Sequence, residues 1–168
     1  MRIPEGDCLF LLARDLKIVW GEDKRYWRWM RLQDSSRPEI EIAELLKVCW
    51  FEVRGKIDAS WLTPGMDYIV AFIVKLSAQA HGWEEQNVTL SFILANKMKM
   101  AKTQTKNLEE MERGKWMEIQ VGAFHIGQEE KGDLEFSMMQ TQEGKWKSGL
   151  LIKGAVIRPK NASTKLWL

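Results

Sequence analysis

Apolar and polar residues alternate with a period of two along most of this chain, the spacing of strands. Leu45, Cys49, Phe51, Val53 and Ile57 share one parity, and Glu52, Arg54 and Lys56 take the other. Tyr68, Val70, Phe72, Val74 and Leu76 alternate with Ile69, Ala71 and Ile73, which predicts a strand buried on both faces. Val88–Leu94, Met117–Val121 and Leu134–Met138 repeat the one-sided pattern, and Gly149–Ile157 forms a last strand that Arg158-Pro159 stops. Turn signals separate these runs at Thr63-Pro64-Gly65, His81-Gly82, Arg113-Gly114, Gly127, Gly132 and Gly144. Short strands with regular punctuation predict an all-β antiparallel sandwich or barrel. The one helix expected is Thr105–Glu112, short and polar, and no internal repeat or linker divides the chain.

One segment departs from the pattern. Trp20 is followed by Arg25-Tyr26-Trp27-Arg28-Trp29, with Arg31 beyond. A core needs large apolar side chains but not charge interleaved with them, so this segment reads as surface. Flat aromatic faces at a wet surface suit a sugar ring, a nucleobase or a proline.

The length of 168 residues is that of one domain, and 45% hydrophobic with 29% charged residues is ordinary for a globular protein. No apolar run approaches the roughly 18 residues that span a bilayer, so no membrane insertion is expected. Met1–Asp7 lacks the apolar stretch of a secretory signal, and two cysteines make no disulfide framework; both predict a cytoplasmic or nucleocytoplasmic setting. Cys49 is expected to be a small buried hydrophobe in a strand, and Cys8 to lie in a mobile segment where it can cross-link a partner chain. In that setting the sequons at Asn87 and Asn161 are coincidental. A net charge of +2 does not by itself imply a polyanionic partner, and Lys97, Lys99, Lys102 and Lys106 read as a solvated loop balanced by Glu109, Glu110 and Glu112.

Catalytic motifs are missing from the sequence. His81 and His125 lie far apart without metal-ligand spacing, and no Gly-x-Ser-x-Gly, phosphate-binding glycine loop or Cys-x-x-Cys occurs. Asp133 and Glu135 could in principle serve as the two carboxylates of a glycosidase, but no other feature of the sequence supports catalysis. No enzyme, metal or cofactor is expected.

Several segments, in order, resemble the phloem protein two (Nictaba-like) family of plant lectins. They are Leu16–Trp20, Tyr26–Trp29, Ala43–Ile57, Gly114–Ile119, Trp146–Leu150 and Ile157–Lys160. The likeness runs from about Asp15 to Lys160, and the stand-alone cucurbit phloem lectins are its nearest type. It implies a domain over 15–160, between an N-terminal segment 1–14 and a tail 161–168. It also implies a jelly-roll-like β-sandwich that binds N-acetylglucosamine oligomers, such as chitin fragments and N-glycan cores, in phloem sap, with a defence role.

In the family, two tryptophans and two acidic residues hold the sugar. The tryptophans fall on Trp20 and Trp27, and the acidic positions on Asp133 and Gln140, one acid shortened and one replaced by an amide. Trp20, Tyr26 and Trp27 are the expected platforms, with Asp133, Gln140 and Lys145 as a polar rim. Against this, Leu16, Ile18 and Trp20 share a strand face that can point inward, and Asp133 beside Gly132 can be a turn residue. Trp50, Trp116 and Trp146 are assigned to packing, Trp29 either packs beneath the platforms or joins them, and Trp61 and Trp83 sit beside turns. A shallow site implies millimolar affinity for one sugar, about −4 kcal/mol, and tighter binding of oligomers. Agglutination needs two sites, so a homodimer is expected, held by strand edges or an aromatic patch. The alternative partner is single-stranded RNA, stacked on the aromatics and held by the arginines.

Overall fold

The computed structural model describes residues 6–32, 40–94, 102–142, 145–163 and 168. Among these residues the strands are β1 Leu9–Leu12, β2 Lys17–Ile18, β3 Trp27–Arg31, β4 Glu41–Leu45, β5 Phe51–Asp58, β6 Asp67–His81, β7 Val88–Leu94, β8 Lys102–Lys106, β9 Trp116–His125, β10 Asp133–Gln140 and β11 Ser148–Pro159. They form two antiparallel sheets. The first runs β3-β4-β11-β6-β9 with β1 also on β11, and the second runs β2-β5-β10-β7-β8. The all-β sandwich expected from the alternation is therefore present.

Parity explains which side chains fill the space between the sheets. On β5, Phe51, Val53 and Ile57 are buried while Arg54 and Lys56 are exposed. On β6 every residue from Tyr68 to Val74 is buried, as its two-sided apolar pattern predicts. At the centre Phe51 stacks on Trp27 with ring centroids 6.3 Å apart and meets the edge of Trp83 at 5.3 Å. Phe72 meets Phe136 from the facing sheet at 5.4 Å.

Several expectations are corrected. Thr105–Glu112 is no helix: β8 runs to Lys106 and pairs with β7, and only Leu108–Glu110 makes a 3-10 turn, capped by Asn107. A polar strand at a sheet edge carries no apolar stripe, so nothing in its sequence distinguishes it from a polar helix. Leu45 and Phe51 belong to different strands, with Cys49 half-buried in the loop between them. β1 lies before residue 15 and pairs with β11 from Leu9↔Ile157 to Leu12↔Gly154, so the sheet includes part of the expected N-terminal segment. Lys97, Lys99 and Gly144 lie outside the described residues.

Candidate functional site

Four connecting segments meet at one end of the sandwich. Residues 19–26 follow β2, 46–50 join β4 to β5, 82–87 join β6 to β7, and 141–142 and 145–147 lie between β10 and β11. Backbone bonds tie them together: Tyr26 C=O accepts from Leu46 N at 2.8 Å, Val19 N donates to Glu52 C=O at 3.0 Å, and Val48 pairs with Lys147. Gly82, at φ +92°, sits so close to Trp146 that a Cβ there would lie 2.1 Å from the Trp146 carbonyl oxygen. Only glycine allows that approach.

The large exposed hydrophobic side chains concentrate here. Trp20 is 54% exposed, Trp50 48% and Trp146 54%, with Leu46 beside them. Trp20 meets Tyr26 edge-on at 6.0 Å. Among described non-glycine residues it alone has a positive φ, 65°. A bulky side chain in that conformation is strained, and the indole stands outward instead of sharing the face of Leu16 and Ile18.

Polar contacts position the other rings. Trp50 Nε1 donates to Glu52 Oε1 at 2.9 Å, and Arg54 Nε holds Glu52 Oε2 at 2.6 Å, keeping that carboxyl below its ordinary pKa. The Lys47 ammonium lies 5.9 Å from the centroid of Trp146. Lys147 is fully buried between the two loops and donates to Cys49 C=O at 2.5 Å and Lys145 C=O at 3.1 Å. Burial lowers its pKa. Asp23 organises the first loop: its carboxylate accepts from Arg25 N at 2.9 Å and Arg25 Nε at 3.0 Å. Those bonds lower its pKa to about 2.

The structure sorts the six expected site residues. Trp20, Tyr26 and Lys145 lie at this end, Lys145 pairing with Glu85 at 3.1 Å. Trp27 does not present a surface, since it is 2% exposed and stacked on Phe51. Its charged neighbours point the other way on β3, because strand side chains alternate. Gln140 is at this end but 6% exposed, with Nε2 donating to Asn87 C=O at 3.2 Å and Oε1 accepting from Gln142 N at 2.8 Å. It joins two loops instead of forming a rim.

Asp133 opens β10 and Gln140 closes it, which separates them by about 23 Å at roughly 3.3 Å per residue. Asp133 lies at the far end of the sandwich, paired with Lys56 at 3.8 Å. Trp50 and Trp146, assigned to packing from the sequence, are exposed instead. Trp83 is core, and Trp29 packs beneath, its Nε1 donating to Gly21 C=O at 2.8 Å and its ring covered by the Arg14 guanidinium at 3.6 Å. Exposed indoles with fixed polar neighbours make a surface for stacking. Among the described residues no group of three His, Cys, Asp or Glu side chains could hold a metal ion.

A family model described as Phloem protein 2 matches residues 6–159. The chain belongs to this family. It is 38% identical over 155 residues to the phloem protein 2-like A1 protein of Arabidopsis thaliana, covering 92% of this chain and 63% of that one. It is 43% identical over 157 residues to a lectin of Luffa acutangula, covering 93% of this chain and 72% of the lectin. The chain thus spans somewhat under two thirds of the Arabidopsis protein's length. Among solved structures it resembles a Podospora anserina β-(1,4)-mannanase with a carbohydrate-binding module, at a TM-score of 0.54 and 7% identity, covering 96% of this chain and 29% of that one. That likeness concerns the fold alone.

Proposed function

We infer that this phloem protein 2 family member is a lectin that binds N-acetylglucosamine oligomers on its aromatic end, without catalysis. The observation that carries the reading is Trp20, a strained and half-exposed indole that contributes little to the core and is held out beside Tyr26. The C–H face of a pyranose lies on such a ring, and Trp50 and Trp146 supply further faces for the next sugars. Lys145, Lys47 and Glu85 surround these rings with donors and an acceptor for hydroxyl and acetamido groups. A Luffa relative named a lectin supports the same reading. The family's name supports a place in phloem.

The RNA alternative draws less support. Two of the three arginines that would meet phosphates are occupied, Arg25 by Asp23 and Arg28 by Glu44. A single sugar has one platform, and a trimer has several. Calorimetry should therefore show affinity rising from N-acetylglucosamine to its trimer, with little change on adding salt. Equal affinity for the two ligands would sink the extended surface, and a steep loss with salt would favour the nucleic acid.

A further inference from the structure

At the opposite end of the sandwich, where β6 and β8 begin and β7 and β9 end, the sheets leave a cleft of about 300 Å³. Its floor is apolar: Phe92 and Leu94 from β7 and Phe124 from β9, with the two phenylalanine rings 5.8 Å apart. Its rim is cationic. Lys102 lies directly opposite Phe92 in the β7–β8 register. Opposed residues share a face, so Lys102 is on the side that looks toward the core. Gln104, two residues on, confirms the direction by reaching across to β9, where Nε2 donates to Gln120 C=O at 2.9 Å and Val121 C=O at 2.8 Å. Lys160 stands on the other rim, its backbone N donating to Asp67 C=O at 2.9 Å. The one carboxylate among the described lining residues, Asp67, is hydrogen-bonded to His125 Nδ1 at 2.8 Å. Neither lysine has an acidic partner among the described residues.

We propose that this cleft is a second ligand site, separate from the aromatic end, for a small amphipathic carboxylate. The apolar body lies on Phe92 and Phe124, and the carboxylate sits between the Lys102 and Lys160 ammoniums. An aromatic floor alone would take neutral molecules as readily; two ammoniums against the single carboxylate of Asp67 leave an excess of positive charge among the described lining residues, which favours an anion. The competing explanation for Lys102 is that an inward charge blunts the β8 edge against pairing with another chain. That explanation leaves Lys160 and the cleft without a role.

The test uses naphthoate as probe and neutral naphthamide as control, followed by amide chemical shifts in the whole chain. Naphthoate should shift the signals of Phe124 and His125 and bind about tenfold tighter than naphthamide. Lys102→Met and Lys160→Met should each weaken naphthoate and leave naphthamide unchanged. Saturation with the N-acetylglucosamine trimer should not displace the probe. Equal binding of acid and amide, no shift at about 1 mM probe, or displacement by the trimer would each overturn the proposal. A Lys102→Met protein that self-associates while binding naphthoate as before would assign the lysine to edge protection instead. Loss of sugar binding at the aromatic end would leave all of these outcomes readable, because the two sites share no residue.

Discussion

Trp20 and Trp27 look alike in the sequence, each an indole among charged residues, yet the fold treats them in opposite ways. Trp27 is a core residue, so Trp27→Ala should cost about 3–5 kcal/mol of stability. Its Nε1 is buried without an acceptor among the described residues. Trp27→Phe should therefore cost much less, because it also removes an unsatisfied donor that costs about 1–3 kcal/mol. Denaturant titration of both variants checks this, and an alanine variant as stable as the parent would return Trp27 to the surface. Trp20 predicts the reverse. Trp20→Gly should raise stability by about 1 kcal/mol by relieving the positive φ, and remove about 1–3 kcal/mol of trimer binding. A glycine variant that is less stable and binds normally would contradict the role given to its strain. The exposure of Trp20 was only half legible, since its strand parity with Leu16 and Ile18 left an inward direction open. The burial of Trp27 was not legible, because alternation on a single strand puts a core indole next to an exposed arginine.

At the level of elements, the long strands were legible because their burial follows parity. The loops that carry the indoles were not. Trp50 and Trp146 were assigned to packing because most tryptophans of a sandwich pack, and their exposure goes with hydrogen bonds between segments far apart in sequence, those of Lys147 above all. Asp133 and Gln140 show the converse: seven residues apart, they look like neighbours until a strand separates them lengthwise. The 19–26 loop carries a pH prediction. Asp23 titrates at about 2 in the folded chain instead of its ordinary 3.8. A carboxyl lowered on folding stabilises fully above the ordinary value and loses that contribution as pH falls toward the folded one. The stability difference between the parent and Asp23→Asn should therefore be constant above pH 3.8 and shrink toward pH 2. Urea titrations across that range measure it, and a difference undiminished at pH 2 would show that the carboxylate is not the group at work.

For the molecule as a whole, antiparallel layering was readable from the alternation, whereas the division between an indole-rich end and an opposite end with a cleft required the register of both sheets. One sugar surface per chain leaves agglutination to assembly. Sedimentation should show a dimer at micromolar concentration, and a monomer there would mean that any cross-linking is done otherwise. The central claim is that the exposed indoles, and not those of the core, meet the sugar. Nine tryptophans give nine indole N–H signals to follow while the N-acetylglucosamine trimer is added. The signals of Trp20, Trp50 and Trp146 should shift together and saturate, while those of Trp27 and Trp83 stay in place. Saturable binding that moves none of the three exposed indoles would contradict the account and place the sugar elsewhere on the sandwich.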